Sequence, residues 1–173
     1  MGCGRRIAWA YGLLGWLLAV AGCASVEIAT TGRETLPEAR ITLSDAAEGG
    51  GMWEGRDLWV SFDWVRSGNA LKLSGTVGFF KPVADGFAAL SGFTLRVHFL
   101  DTDGRVISTS GVATAAYRKP ITPLTFERNL TVPPETNAMA FSYSGRAIEG
   151  GGEGSPGSRD GGISWEFWQV PFP

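Results

Sequence analysis

Beyond residue 57, hydrophobic and polar residues alternate with period two along most of the chain, the pattern of strands with one buried and one solvated face. Leu58, Val60, Phe62 and Trp64 alternate with Trp59, Ser61 and Asp63, and Leu71, Leu73, Val77 and Phe79 alternate with Lys72, Ser74 and Thr76. Leu95, Val97 and Phe99 alternate with Thr94, Arg96 and His98. Asp101-Thr102-Asp103-Gly104 then predicts a tight turn into a strand over 106–115, because Asp-Gly accepts the positive φ that such turns need. Strands are also predicted over 124–132 and 138–148, divided by Pro133-Pro134, since proline cannot donate to a central ladder. A final strand over 163–170 places Ile163, Trp165 and Phe167 on one face and Ser164, Glu166 and Trp168 on the other. About seven to eight short strands, turn residues at each junction and no helical period after Cys23 predict an all-β fold, an antiparallel immunoglobulin-like β-sandwich, with a small closed barrel as the alternative.

Three stretches break the pattern. Residues 24–37 are mixed and polar, as expected of a tether, and 44–55, with Gly49-Gly50-Gly51, reads as a second loose stretch. Residues 145–162 are dominated by glycine and cannot bury enough apolar surface to repay the entropy of ordering, which predicts a mobile loop.

The chain opens differently. Arg5 and Arg6 precede an apolar run from Ile7 to about Val20, which ends in Val20-Ala21-Gly22-Cys23. A positive start, an apolar stretch and small residues at the end form the layout of a secretory signal peptide, and the run is shorter than the roughly 20 residues a spanning helix needs. The Val20 to Cys23 segment resembles the lipobox of bacterial lipoproteins. That resemblance implies cleavage before Cys23, acylation of its sulfur, and a mature protein beginning there. Ala24 stands where an Asp is associated with inner-membrane retention, so the resemblance implies the outer membrane of a Gram-negative envelope. Met1-Gly2-Cys3 does not complete a myristoylation signal, because Arg6 occupies the position of the required Ser or Thr. Arg5-Arg6 lacks the surroundings of a twin-arginine signal. The organisation expected is a signal peptide over 1–22, an anchor and tether over 23–37, and one sandwich domain over 38–173.

Within the domain, Leu73-Ser74-Gly75-Thr76-Val77, the run from Leu95 to Val106, and Val132-Pro133-Pro134-Glu135-Thr136 resemble the small immunoglobulin-like modules of the FxLYD type found in bacterial envelope proteins. Such modules often place an Asn after the Gly-Thr-Val strand, where this chain has Gly78 and Phe79. The resemblance implies a fold and says little of function.

Loss of Arg5 and Arg6 with the leader would take the formal net charge from −2 to −4, and no basic patch or recognition motif for nucleic acid is present. Of the two cysteines, only Cys23 survives cleavage, so no disulfide is expected and stability rests on burial. His98 is the single histidine; sharing a strand face with Thr94 and Arg96, it is expected at the surface. No nucleophile elbow, phosphate-cradling loop or His-Glu-x-x-His helix occurs. Asp101-x-Asp103 resembles the start of a calcium loop, but Arg105, Val106 and Val112 fill later ligand and turn positions, so a structural turn is expected. Asp63, Glu127 and Glu166 lie on polar strand phases and read as solvated, although carboxylates from different strands can converge.

The aromatic residues remain. Trp64 and Trp165 fall on apolar phases and are expected in the core, whereas Trp59 and Trp168 share polar phases, as does Phe80 with Lys72, Ser74 and Thr76. Trp59, Trp168 and Phe80 are therefore the candidate partner-binding residues, unless a loop covers them. The expected function is that of an outer-membrane lipoprotein on the periplasmic side, a non-enzymatic binding or assembly module needing no cofactor or metal. Its expected partners are the membrane, through lipidated Cys23, and an envelope protein. A carbohydrate-binding module using the exposed Trp residues, or a glycan-acting enzyme, are the alternatives.

Overall fold

The period-two pattern is realised as two antiparallel sheets facing each other across one core and not closed into a barrel. The computed structural model describes residues 30–43, 47–149 and 163–173; the leader, Cys23 and most of the glycine-rich stretch lie outside the described residues. The strands are β1 (Ile41–Thr42), β2 (Glu48–Glu54), β3 (Leu58–Ser67), β4 (Ala70–Phe79), β5 (Ala89–Leu100), β6 (Val106–Arg118), β7 (Leu124–Thr131), β8 (Ala138–Ile148) and β9 (Ser164–Gln169), with one helical turn, α1 (Lys81–Ala84). One sheet runs β2-β3-β4-β7, and the other runs β1-β8-β5-β6 with β9 also paired to β8.

Alternation decides which side chains meet. Leu58, Val60, Phe62 and Trp64 of β3 are all buried, as are Leu95, Val97 and Phe99 of β5 and Met139, Phe141 and Tyr143 of β8. Phe62 meets Phe141 edge-on across the inter-sheet space at 5.4 Å between ring centroids, and Phe79 meets Phe93 at 5.3 Å. Full burial of such side chains contributes roughly 1.5–3 kcal/mol each. The β5–β6 hairpin turns at Asp101 to Gly104, where the Asp101 Oδ1 accepts hydrogen bonds from the amides of Asp103 (2.9 Å) and Arg105 (2.8 Å) and Gly104 has φ 81°. The carboxylate thus serves the turn, as expected.

Four expectations are corrected. The stretch over 44–55 contains a strand, β2, paired with β3 from Glu48↔Val65 to Glu54↔Trp59. Its glycines hid it from the pattern, because they lack side chains to alternate. They also make the pairing possible: a Cβ on Gly49 would come within 2.6 Å of the Trp64 indole, which spreads across the glycine strand. The tether, expected to extend to residue 37, is docked from Thr30 onward. The Gly32 amide donates to the Val106 carbonyl (2.8 Å), the Thr35 amide to Gly104 (2.9 Å) and the Leu36 amide to Pro171 (2.8 Å). A segment that meets sheet ends with single backbone bonds needs no hydrophobic period, so none is visible. Residues 145–149 do not belong to a loop, since β8 runs to Ile148 and the Glu149 amide donates to Ile163 at 2.9 Å. Finally, Trp165 is not core. At the sheet margin it is 36% exposed and stacks on Phe87 with centroids 5.9 Å apart.

Candidate functional site

Because inward residues alternate with outward ones, each sheet presents an outer face, and the aromatic candidates divide between them. Trp59 projects from β3 opposite Gly78 of β4, and its half-buried indole lies where a Gly78 side chain would be. Trp168 projects from β9 on the outer face of the other sheet and is 60% exposed. The two rings therefore lie on opposite sides of the sandwich and form no common platform. Phe80 lies beyond the end of β4 as the N-cap of α1; it is half-buried, with its amide on the Asp57 carbonyl at 3.0 Å.

The carboxylates separate likewise. Asp63 and Glu127 lie on either side of Ser74 on the four-stranded sheet, with Glu127 paired to Lys72 at 3.1 Å. Glu166 lies on the five-stranded sheet and is paired to Arg146 at 2.6 Å. Glu166 does not converge with the other two. Among the described residues, no three of His, Cys, Asp and Glu group to hold a metal ion.

The outer face of the five-stranded sheet is concave. Two adjoining hollows, of about 550 and 580 Å³, share Arg96, Ser142, Ser144, Trp168 and Val170 in their walls. Their size falls in the range of about 300–1,000 Å³ typical of small-molecule sites. Register builds this surface: Trp168 stands opposite Ser144, Ser144 opposite Thr94, and Arg96 opposite Ser142. At one end, β5 bulges between Ser91 and Thr94 with Gly92 at φ 59°, a device that bends a strand and re-aims its neighbours. At the other end, the segments around Arg33 and Phe172 close over the sheet. Phe172 is buried there and Arg33 lies over its ring, 4.6 Å from the centroid.

His98 sits beneath Phe172 and is not at the surface. Its ring is 1% exposed, 5.4 Å edge-on from the Phe172 ring, and both nitrogens are satisfied: Nδ1 by the Thr109 hydroxyl and Nε2 by the Ser142 hydroxyl, each at 2.8 Å. Thr109 in turn meets the Thr30 hydroxyl at 2.9 Å. His98 does lie on the outward phase of β5, but the segments around Thr30 and Phe172 that cover it carry no alternation, so the pattern gives no sign of its burial. Burial, reinforced by the Arg96 charge, lowers the imidazole pKa from 6.5 to about 4, so the ring is neutral at ordinary pH. The Ser142–His98 pair has the spacing of a nucleophile and its base. However, a hydroxyl replaces the usual orienting carboxylate, and a pKa near 4 is far below the working range of a general base at neutral pH.

A second polar cluster ties the sheets together. The Tyr143 hydroxyl donates to Asp57 Oδ2 (2.7 Å) and accepts from the Asp57 amide (3.2 Å). Burial and the Asp57 carboxylate hold the phenol well above the ordinary tyrosine pKa. Arg56 flanks the pair, with Nε 3.4 Å from Asp57 Oδ1 and Nη2 donating to the Trp168 carbonyl at 3.1 Å. The β2–β3 turn is thereby fixed to β9, the strand that carries Trp168.

Comparison of the chain with protein-family models, curated proteins and solved structures finds no match.

Proposed function

We propose that this chain is a lipoprotein of the bacterial outer membrane, a non-enzymatic module that binds an envelope component through the outer face of its five-stranded sheet. The observation that carries the reading is the 60% exposed Trp168 indole bordering a hollow of about 580 Å³. A large ring left in water contributes little to the fold, whereas aromatic anchors concentrate the energy of interfaces.

The anchoring half of the reading rests on Val20-Ala21-Gly22-Cys23 and the apolar run before it. Thr30 is the first described residue, and the seven-residue step from Cys23 to it spans at most about 25 Å even when fully extended. Thr30 itself lines the hollow. An acylated Cys23 would hold the binding face close to the bilayer. A catalytic role is disfavoured by the separation of Asp63 and Glu127 from Glu166 and by the weakly basic His98.

Two measurements test the reading. Cys23→Ser is expected to leave an uncleaved precursor or to shift the protein from the detergent phase to the aqueous phase, because stable anchoring needs more than one acyl chain. Unchanged processing and partitioning would overturn the lipoprotein assignment. Trp168→Ser is expected to abolish cross-linking to envelope components in intact membranes, with Met52→Ser, on the opposite sheet, as control. Undiminished cross-linking would place the binding face elsewhere.

A further inference from the structure

We propose that the hollow beside Trp168 is a site for acidic saccharides, with a sugar ring stacked on the indole and its carboxylate or phosphate held by Arg96. This rests on the assignment of the outer face as the binding surface and specifies what it binds.

Charge is the first argument. The chain is net negative, yet the two hollows are lined by Arg33, Arg96 and Arg146 against a single carboxylate, Glu166. Glu166 is already paired with Arg146 at 2.6 Å. Arg33 lies on the Phe172 ring. Among the described residues, Arg96 has no carboxylate within ion-pair distance, although it is half-buried at the centre of the sheet. A guanidinium in that position offers a planar fork of donors that matches a carboxylate or phosphate.

Open space lies next to it. Gly111 of β6 stands opposite Arg96, and no heavy atom comes within 4 Å of where its Cβ would be. An anion can therefore reach the guanidinium from the β6 side.

The neighbours of Trp168 add a group that suits a sugar. Here β8, the strand between Trp168 and Arg96, presents the hydroxyl of Ser144, a group that both donates and accepts and so suits the hydroxyls of a sugar, while the Ser142 hydroxyl beside it is already held by His98 Nε2 at 2.8 Å. Trp168 on β9 and Arg96 on β5 are separated by β8 and offset by two residues in register, which puts their backbones about 12 Å apart. That gap leaves room for a ring against the indole with its acidic group directed at Arg96.

Titration calorimetry and tryptophan fluorescence on the full chain in detergent micelles would use three probes: a galacturonic acid tetrasaccharide, a phosphorylated glucosamine disaccharide and a neutral glucose tetrasaccharide. At least one acidic probe is expected to bind and change the fluorescence, and the neutral one to bind at least tenfold more weakly. Trp168→Ala and Arg96→Gln should each weaken acidic binding at least tenfold, while Met52→Ser leaves it unchanged. Preference for the uronic acid would identify a carboxylate ligand, and preference for the phosphosugar a phosphate ligand; either supports the site. Failure of both acidic probes, equal binding of the neutral one, or binding that survives both substitutions would overturn the proposal. If no saccharide binds while membrane cross-linking still depends on Trp168, the outer face remains the binding surface and only its acidic-saccharide assignment falls.

Discussion

The hydroxyl of Tyr143 donates to the buried carboxylate of Asp57 at 2.7 Å, joining β8 of one sheet to the turn before β3 of the other. Asp57 is 4% exposed, and its carboxylate oxygens are held by this donor and by Arg56. Tyr143→Phe keeps the ring in the core and removes only the hydroxyl. It is expected to cost about 2 kcal/mol, the usual penalty for stranding a buried acceptor, more when it is charged. Chemical denaturation gives the value, and a double-mutant cycle with Asp57→Ala should show coupling between the two. Additive losses would mean that the sheets are held together without the latch.

The strand phase of β5 is tested by a contrast. Phe99 is fully buried between the sheets, and Arg96 projects from the opposite face. Phe99→Ala should cost about 3–5 kcal/mol, as for other buried Phe truncations. Arg96→Ala should change stability by no more than about 0.5 kcal/mol. Denaturant midpoints for the two variants compare them directly.

Trp59 and Trp168 look alike in sequence and differ in structure. Because the Trp59 indole covers Gly78, Trp59→Ala uncovers backbone and apolar surface and should cost about 2 kcal/mol. Trp168→Ala should remain within about 0.5 kcal/mol of wild type, since its ring is 60% exposed. Comparable losses would show that Trp168 is packed in solution and unavailable to a ligand.

Sequence alone shows what alternation encodes. The inward phases of β3, β4, β5 and β8 were legible because each buried residue recurs every second position, and Asp101 to Gly104 announced its turn chemically. What escaped had no side-chain rhythm: β2 is written in glycines, and the segments around Thr35 and Phe172 dock by backbone bonds and a single ring. The candidate site was half legible. Trp168 stood out by its phase, but its separation from Trp59 and its proximity to Arg96 depend on which sheet each strand joins. Alternation carries no information about that choice.

The buried imidazole gives the fold an acid-sensitive point whose sign follows from its surroundings. His98 has a folded-state pKa of about 4, below the 6.5 of an exposed histidine, because burial and the Arg96 charge disfavour the protonated ring. Besides Arg96, its immediate partners are the uncharged hydroxyls of Thr109 and Ser142 and the Phe172 ring, so none of these compensates a proton. Between pH 6.5 and 4 the unfolded chain binds this proton and the folded chain does not. Stability is therefore complete above pH 6.5 and falls as the pH drops toward 4, by on the order of 3 kcal/mol from this group. His98→Gln preserves hydrogen bonding without a titrating ring. It should be less stable than wild type at pH 7.5, with the difference narrowing steadily by pH 4.5 in parallel denaturation series. A difference that stays constant over that interval would mean that His98 keeps its ordinary pKa in the folded protein, and that the covering by Phe172 opens to water.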